Sequence, residues 1–292
     1  MHLLLDSTLS EVEWIDFIER NRVKNVGVPD ELQIEIRQSF IEPYQIVSLA
    51  CLIEEFDQVD VPIVFSRNHC SADMYLNHVR FFEYWTQGFD RHAFITPGKR
   101  TTFALWKISQ SRISIYADES KKYFENLVFT GKDLSPLHIA LSETFNNIFD
   151  HAESGVDGFV LYQYYPRVHR LNTAICDFGV GIPSKIKTIW SDRLRTPVND
   201  QDALRAAFIN RMSTKTTPQN RGFGLSNLLG NIRNIKGELI VYSNAAGIRF
   251  VENNVYYRSL PAALGGTLVK FSFDPSNLPK KEEEIDNEEY FF

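Results

Sequence analysis

Thr173-Ala174-Ile175-Cys176-Asp177-Phe178-Gly179-Val180-Gly181-Ile182 decides how the chain is read. A mostly apolar strand, Leu171 to Cys176, stops on a carboxylate and runs into a Gly-x-Gly turn. A carboxylate at a strand end can accept a hydrogen bond from an exocyclic amine such as that of adenine. Gly179 and Gly181 let the backbone pass close to a flat ring and adopt angles that other residues avoid. The dinucleotide fingerprint does not fit, because Ser184 stands where its third glycine belongs.

Two further segments suit the same site. Glu143-Thr144-Phe145-Asn146-Asn147, with His151, places Glu143, Asn147 and His151 four residues apart, on one face of a helix. Leu137, Leu141, Phe145 and Ile148 lie on or near the opposite face and would be buried. Magnesium takes hard oxygen ligands, and an Asn side-chain oxygen adds no charge beside a triphosphate. A carboxylate one turn earlier can orient or deprotonate a water. Arg221-Gly222-Phe223-Gly224-Leu225 is a glycine loop opening a helix, whose free N–H groups attract phosphate. Lys215 and Arg221 lie in or beside a polar stretch from which they could reach phosphates. The chain has no Gly-x-x-x-x-Gly-Lys-Ser/Thr, so a P-loop is excluded.

Outward from these segments, Ser135-Pro136 marks a helix start. Strands are expected over Phe159–Tyr165, Leu171–Cys176, Glu238–Ser243 and Thr267–Phe273, and helices over Asp200–Arg211 and Leu225–Ile235, with Gly237 at C′ of the last. This order predicts a mixed sheet with one helical layer. Toward the N-terminus, the pattern predicts helices over Glu11–Arg20, Tyr44–Phe56 and Ala72–Val79 and strands over Leu32–Ile36 and Val61–Phe65. The aromatic cluster Phe81–Trp85 reads as core or as packing between domains. The resulting division is a small α/β domain over 1–98, a joining region with a helix near Glu119–Leu127 over 99–134, a nucleotide domain over 135–275 and an acidic tail over 276–292.

Taken together, residues 135–275 resemble the GHKL ATP-binding domain shared by histidine kinases, DNA gyrase, Hsp90 and MutL-like proteins. Glu143, Asn147 and His151 match its N box, Asp177, Gly179 and Gly181 its G1 box, and Gly222 and Gly224 its G2 box. Gly265-Gly266-Thr267 looks like its last motif. The resemblance implies a Bergerat α/β sandwich holding ATP and Mg²⁺ beneath a lid between Ile182 and Gly222. By position, Asn147 is the metal ligand, Asp177 the adenine reader and Glu143 the candidate base. Asn147, His151, Asp177, Gly179, Gly181, Ile182, Lys215, Arg221, Gly222, Gly224, Leu225 and Thr267 are the nucleotide-binding set. Residues 32–85 resemble a STAS domain, but Glu42-Pro43-Tyr44 stands where its acceptor Ser would open the helix. That departure implies binding or sensing rather than phosphorylation.

Exclusions follow from the rest of the sequence. A net charge of −6 gives no basic footprint for nucleic acid. No run of ~18 apolar residues suggests a membrane span. Three widely spaced cysteines suit reduced thiols in the cytosol. His2, His69, His78, His92, His138, His151 and His169 are followed by Leu, Cys, Val, Ala, Ile, Ala and Arg, so none sits in a phosphoacceptor context. A typical histidine kinase is thereby set aside. Three functions compete: a slow ATPase or ATP-driven conformational switch, a protein Ser/Thr kinase of the anti-sigma-factor type, and a non-catalytic nucleotide sensor or scaffold. A protein partner, reached through the N-terminal domain or the lid, and a homodimer are compatible with each.

Overall fold

The structure is a computed structural model that describes residues 1–90, 101–108, 113–138, 141–142, 144–145, 158–191, 198–208 and 224–281. Two sheets organise it. Strands β1 (His2–Leu5), β2 (Leu32–Ile36) and β3 (Ile63–Ser66) pair in parallel in that order. Strands β4 (Thr102–Lys107), β5 (Phe159–Tyr165), β6 (Arg170–Asp177), β7 (Glu238–Val251) and β8 (Asn254–Phe273) form a second sheet in the order β4-β5-β6-β8-β7. Every pairing in this second sheet is antiparallel, which corrects the expected mixed sheet; the parallel pairings all belong to the first. The chain is therefore mixed α/β.

The five-stranded sheet is covered on both faces, one of them by helices from the N-terminal part of the chain. The reason lies in its strands, whose alternate residues are apolar on both sides. Phe159, Leu161, Ala174, Cys176 and Leu268 join one core cluster, while Val160, Tyr162, Ile175, Val269 and Phe271 join another. The first cluster is continuous with α1 (Glu11–Arg20) and α3 (Pro43–Asp57) and with the parallel sheet, so residues on both sides of the boundary expected at 98 share it. All residues of α3 except Glu55 and Asp57 are buried, as expected for a helix apolar all round. Its Cys51 Sγ donates to the Cys176 carbonyl at 3.3 Å. Buried Glu54 on α3 accepts from Lys107 Nζ at 2.6 Å.

The second cluster lies under α5 (Ile113–Leu127), helical residues within 135–145, and α8 (Gly224–Asn234). Leu137, Leu141 and Phe145 are buried in it, as the helix-face reading required. Ile148 lies outside the described residues. A register shift between Phe103 and Trp106 turns both toward this cluster and leaves Leu105 facing the other. The region expected to join two domains thus supplies an edge strand, β4.

Local chemistry accounts for the ends. Ser10 and Glu13 close a capping box on α1, Ser10 N–H donating to Glu13 Oε2 at 2.8 Å. Short α2 (Val23–Val26) follows it, and α4 (Ser71–His78) precedes a 3-10 turn over Phe81–Trp85. That turn packs onto the sheet, with Tyr84 and Phe159 ring centroids 5.7 Å apart. α8 ends in a Schellman motif in which Lys236, not Gly237, is the left-handed residue, with φ 52°. Gly237 N–H donates to Ile232 O at 2.8 Å and so takes the C″ position. α6 (Ile182–Ser191) and α7 (Asp200–Ala206) pack together through Ile186, Ala203 and Ala206. α7 ends at Ala206 rather than at Arg211 and rests on β7. Beyond the sheet, β7 and β8 continue as a hairpin arm closed by Glu252 and Asn253. No helix among the described residues is long and apolar enough to cross a membrane. Cys51, Cys70 and Cys176 are free thiols.

Candidate functional site

Strand register brings three polar residues into one row. Asp177 on β6 faces Thr267 on β8, which faces Ser243 on β7. By alternation their side chains share the face of Ile175, Val269 and Val241, the face covered by the helices. Asp177 is 3% exposed, Thr267 8% and Ser243 0%, so a polar strip is buried at the end of an otherwise apolar face. Buried polar groups need partners, and the strip supplies them internally. Ser243 Oγ accepts from Ile182 N–H at 2.9 Å, lies 2.9 Å from Gly266 O, and is 3.0 Å from Thr267 Oγ1. One consistent arrangement has Ser243 donating to Gly266 O and Thr267 donating to Ser243.

The turn after β6 is held from the same strip. Gly179 N–H donates to Asp177 Oδ1 at 2.8 Å. Asn244 Nδ2 donates to Val180 O at 3.2 Å, and Asn244 Oδ1 accepts from Ser184 N–H at 3.4 Å. Gly181 carries φ 82°, and a Cβ there would fall 2.3 Å from Asn244 Oδ1. Only glycine satisfies both demands. Gly266, with φ 139°, would carry a Cβ 2.1 Å from the Asp177 carbonyl oxygen, so the loop into β8 must also be bare there.

Burial pushes the Asp177 carboxyl up to about 7, while the Gly179 N–H, the Arg22 charge and the Thr267 backbone pull it back toward the carboxylate. Four residues earlier on the same face, beyond Ile175, Thr173 is 1% exposed and its Oγ1 has no hydrogen-bond partner among the described residues. A carboxylate that accepts and two bare backbone positions form a set suited to a flat ligand with a donor edge.

Of the residues singled out from the sequence, Asp177, Gly179, Gly181, Ile182 and Thr267 converge here. Gly224 and Leu225 begin α8. Asn231, further along α8, donates from Nδ2 to Pro136 O at 2.9 Å, tying that helix to the start of helical residues 135–138. Helical residues 135–138 and α8 therefore meet over one sheet face. Glu143, Asn147, His151, Lys215, Arg221 and Gly222 lie outside the described residues. So does much of the expected lid, of which α6 and α7 are described. Sequence reasoning missed Ser243 and Asn244. Ser243 and Asn244 follow directly on an apolar strand run, the same signal that drew attention to Asp177. Comparison with protein-family models and with curated proteins gives no match for this chain.

Proposed function

We propose that this chain is a cytosolic regulatory protein of the GHKL type that binds ATP with Mg²⁺ at the end of β6 and changes shape or partner with it. The observation that carries the reading is Asp177: a carboxylate buried at a strand end, followed by a turn that only glycine can make. Buried carboxylates are expensive and are kept where a ligand uses them. Here the carboxylate accepts from the adenine amino group, at a position where guanine presents a carbonyl. Asn147 holds Mg²⁺, which neutralises phosphate charge, and Glu143 serves the chemistry, both by the resemblance of their motif. His151, Lys215, Arg221, Gly222, Gly224 and Leu225 belong to the phosphate side by the same argument. The parallel sheet and its helices act as a STAS-like sensing module without an acceptor serine.

Calorimetry on the full chain tests this. ATP with Mg²⁺ should bind more tightly than GTP. Asp177→Asn should lose about ten- to a hundredfold in ATP affinity, the equivalent of ~1.5–3 kcal/mol for a charge-assisted hydrogen bond. Equal affinity of the wild type for ATP and GTP would refute adenine reading, and no binding at millimolar nucleotide would refute the function. Labelled γ-phosphate then sorts the activity. Slow release as free phosphate fits a switch, and transfer to protein would replace that reading with a kinase.

A further inference from the structure

The turn that frames Asp177 is held from behind by the N-terminal part of the chain. Arg22, at the start of α2, is 6% exposed and reaches both sides of that carboxylate. On one side its guanidinium lies 3.9 Å over the ring of Phe178, the residue next to Asp177. On the other it donates from Nη1 to the carbonyl of Gly265, two residues before the Thr267 that pairs with Asp177 across the strands. The guanidinium is fixed in turn by Glu55 on α3, which accepts from Nε at 3.0 Å and from Nη2 at 2.6 Å. Glu55 also accepts from Val23 N–H at 3.0 Å. Glu19 on α1 completes the clamp by accepting from Gly265 N–H at 3.1 Å, and Lys24 Nζ pairs with Glu19 at 2.5 Å. The approach is close enough that a Cβ on Gly265 would fall 2.6 Å from Arg22 Nη1. The Gly-Gly pair therefore serves two partners: Gly266 clears the Asp177 backbone, and Gly265 clears Arg22.

From this geometry we infer that Arg22 is a positioning residue for the base-reading turn, so that the N-terminal helices form the back wall of the nucleotide site and affinity depends on them. The inference rests on the proposed ATP binding. Three features carry it. An arginine this buried must be paired to be tolerated, and its fork is satisfied by one carboxylate and one backbone carbonyl. The groups it holds are the two chain segments flanking Asp177. Among the described residues, Arg22 is the charged group whose field draws Asp177 toward the carboxylate. A shift of the clamp by even a fraction of an ångström would move the acceptor relative to the base.

The test uses the full chain with Arg22→Met and Arg22→Lys, and with Glu55→Gln, which loosens the fork without emptying the space. ATP and GTP affinities are measured by calorimetry between pH 5.5 and 8.5, with melting temperatures recorded alongside. Arg22→Met should weaken ATP by about tenfold, shrink the preference for ATP over GTP, and move the pH midpoint of ATP affinity upward relative to the wild type. Comparing the two proteins cancels the titration of the nucleotide itself. Arg22→Lys, which keeps the charge without the fork, should restore the midpoint and only part of the affinity. If Arg22→Met does not fold, Glu55→Gln should show the same loss of preference in weaker form. Equal ATP affinity, preference and midpoint in wild type and variants overturns the inference and leaves ATP binding standing. Parallel loss of ATP and GTP with no movement of the midpoint also overturns it, because Arg22 would then only support the fold. A wild type that binds neither nucleotide overturns the proposed function and this inference together.

Discussion

The two faces of the five-stranded sheet are made from alternate residues of the same strands, yet they end differently. Toward α3, β5 and β6 present Phe159, Leu161, Ala174 and Cys176, apolar up to the strand end. Where charge enters on that side, as with Glu54, the same chain brings Lys107 to meet it. Toward the helical layer the strands begin alike, with Val160, Tyr162 and Ile175, and then finish on Asp177, Thr267 and Ser243. Around β5 and the end of β6 the first face is closed by α3, while farther along it a pocket opens between Glu11, Glu42, Tyr44, Ile240 and Lys270. The other keeps a carboxylate whose ionisation the surroundings oppose. The residues that β5 and β6 present to α3 are explained by folding alone, while the buried carboxylate on the second costs folding energy, which fits the proposed ligand site.

The contrast can be broken at several points. The largest effect should come from the closed face. Leu161→Ala, at a fully buried position, should cost about 2–5 kcal/mol in denaturant unfolding, because a packed site loses both transfer energy and volume. A loss well under 1 kcal/mol would mean that the α3 face is not tightly packed. On the other face the sign should reverse. The folded Asp177 carboxyl sits near 7 rather than at its ordinary 3.8, so the native state holds the proton more tightly than the unfolded chain. Its contribution to stability is then greatest below pH ~4, falls as pH rises toward ~7, and is constant above. Asp177→Asn should therefore be more stable than wild type at pH 8, by on the order of 2 kcal/mol, with the gap closing near pH 4. Stability curves that run parallel from pH 4 to pH 8 would show that the carboxylate is not strained. The smallest effect belongs to the far end of a helix on the first face. Ser10→Ala removes the cap of α1 and should cost ~1 kcal/mol in thermal or urea unfolding.

How much of this was legible depends on how local the cause is. β5 was read with its observed bounds because Phe159 to Tyr165 is an apolar and aromatic run broken only by Gln163. The cap of α1 and the Asp177 turn were legible because each is written within a few adjacent residues. β1 was missed, since four residues around Leu3-Leu4-Leu5 are too short to show a period. β4 was missed because its bulge breaks the alternation and all of its residues but Lys107 are buried. Which strands pair, and in which direction, is set by contacts distant in sequence, so the antiparallel sheet could not be told from a mixed one. The same limit hid Ser243, Asn244 and Arg22. Each matters through a partner between about 20 and 250 residues away, and single-sequence patterns carry no register. The arm of β7 and β8 was missed for a related reason: Glu252 and Asn253 close it without the glycine that usually marks a tight hairpin.

The shared cluster around α3 has a consequence during synthesis. α3 ends at Asp57, but the strands that cover its outer face are complete only at Phe273. At ~5–20 residues per second, a ribosome needs about ten to forty seconds to make the roughly 200 residues between them. Through that interval a helix that is apolar all round can cover one side on the parallel sheet but has nothing for the other. The nascent chain thus presents an apolar surface early and for long.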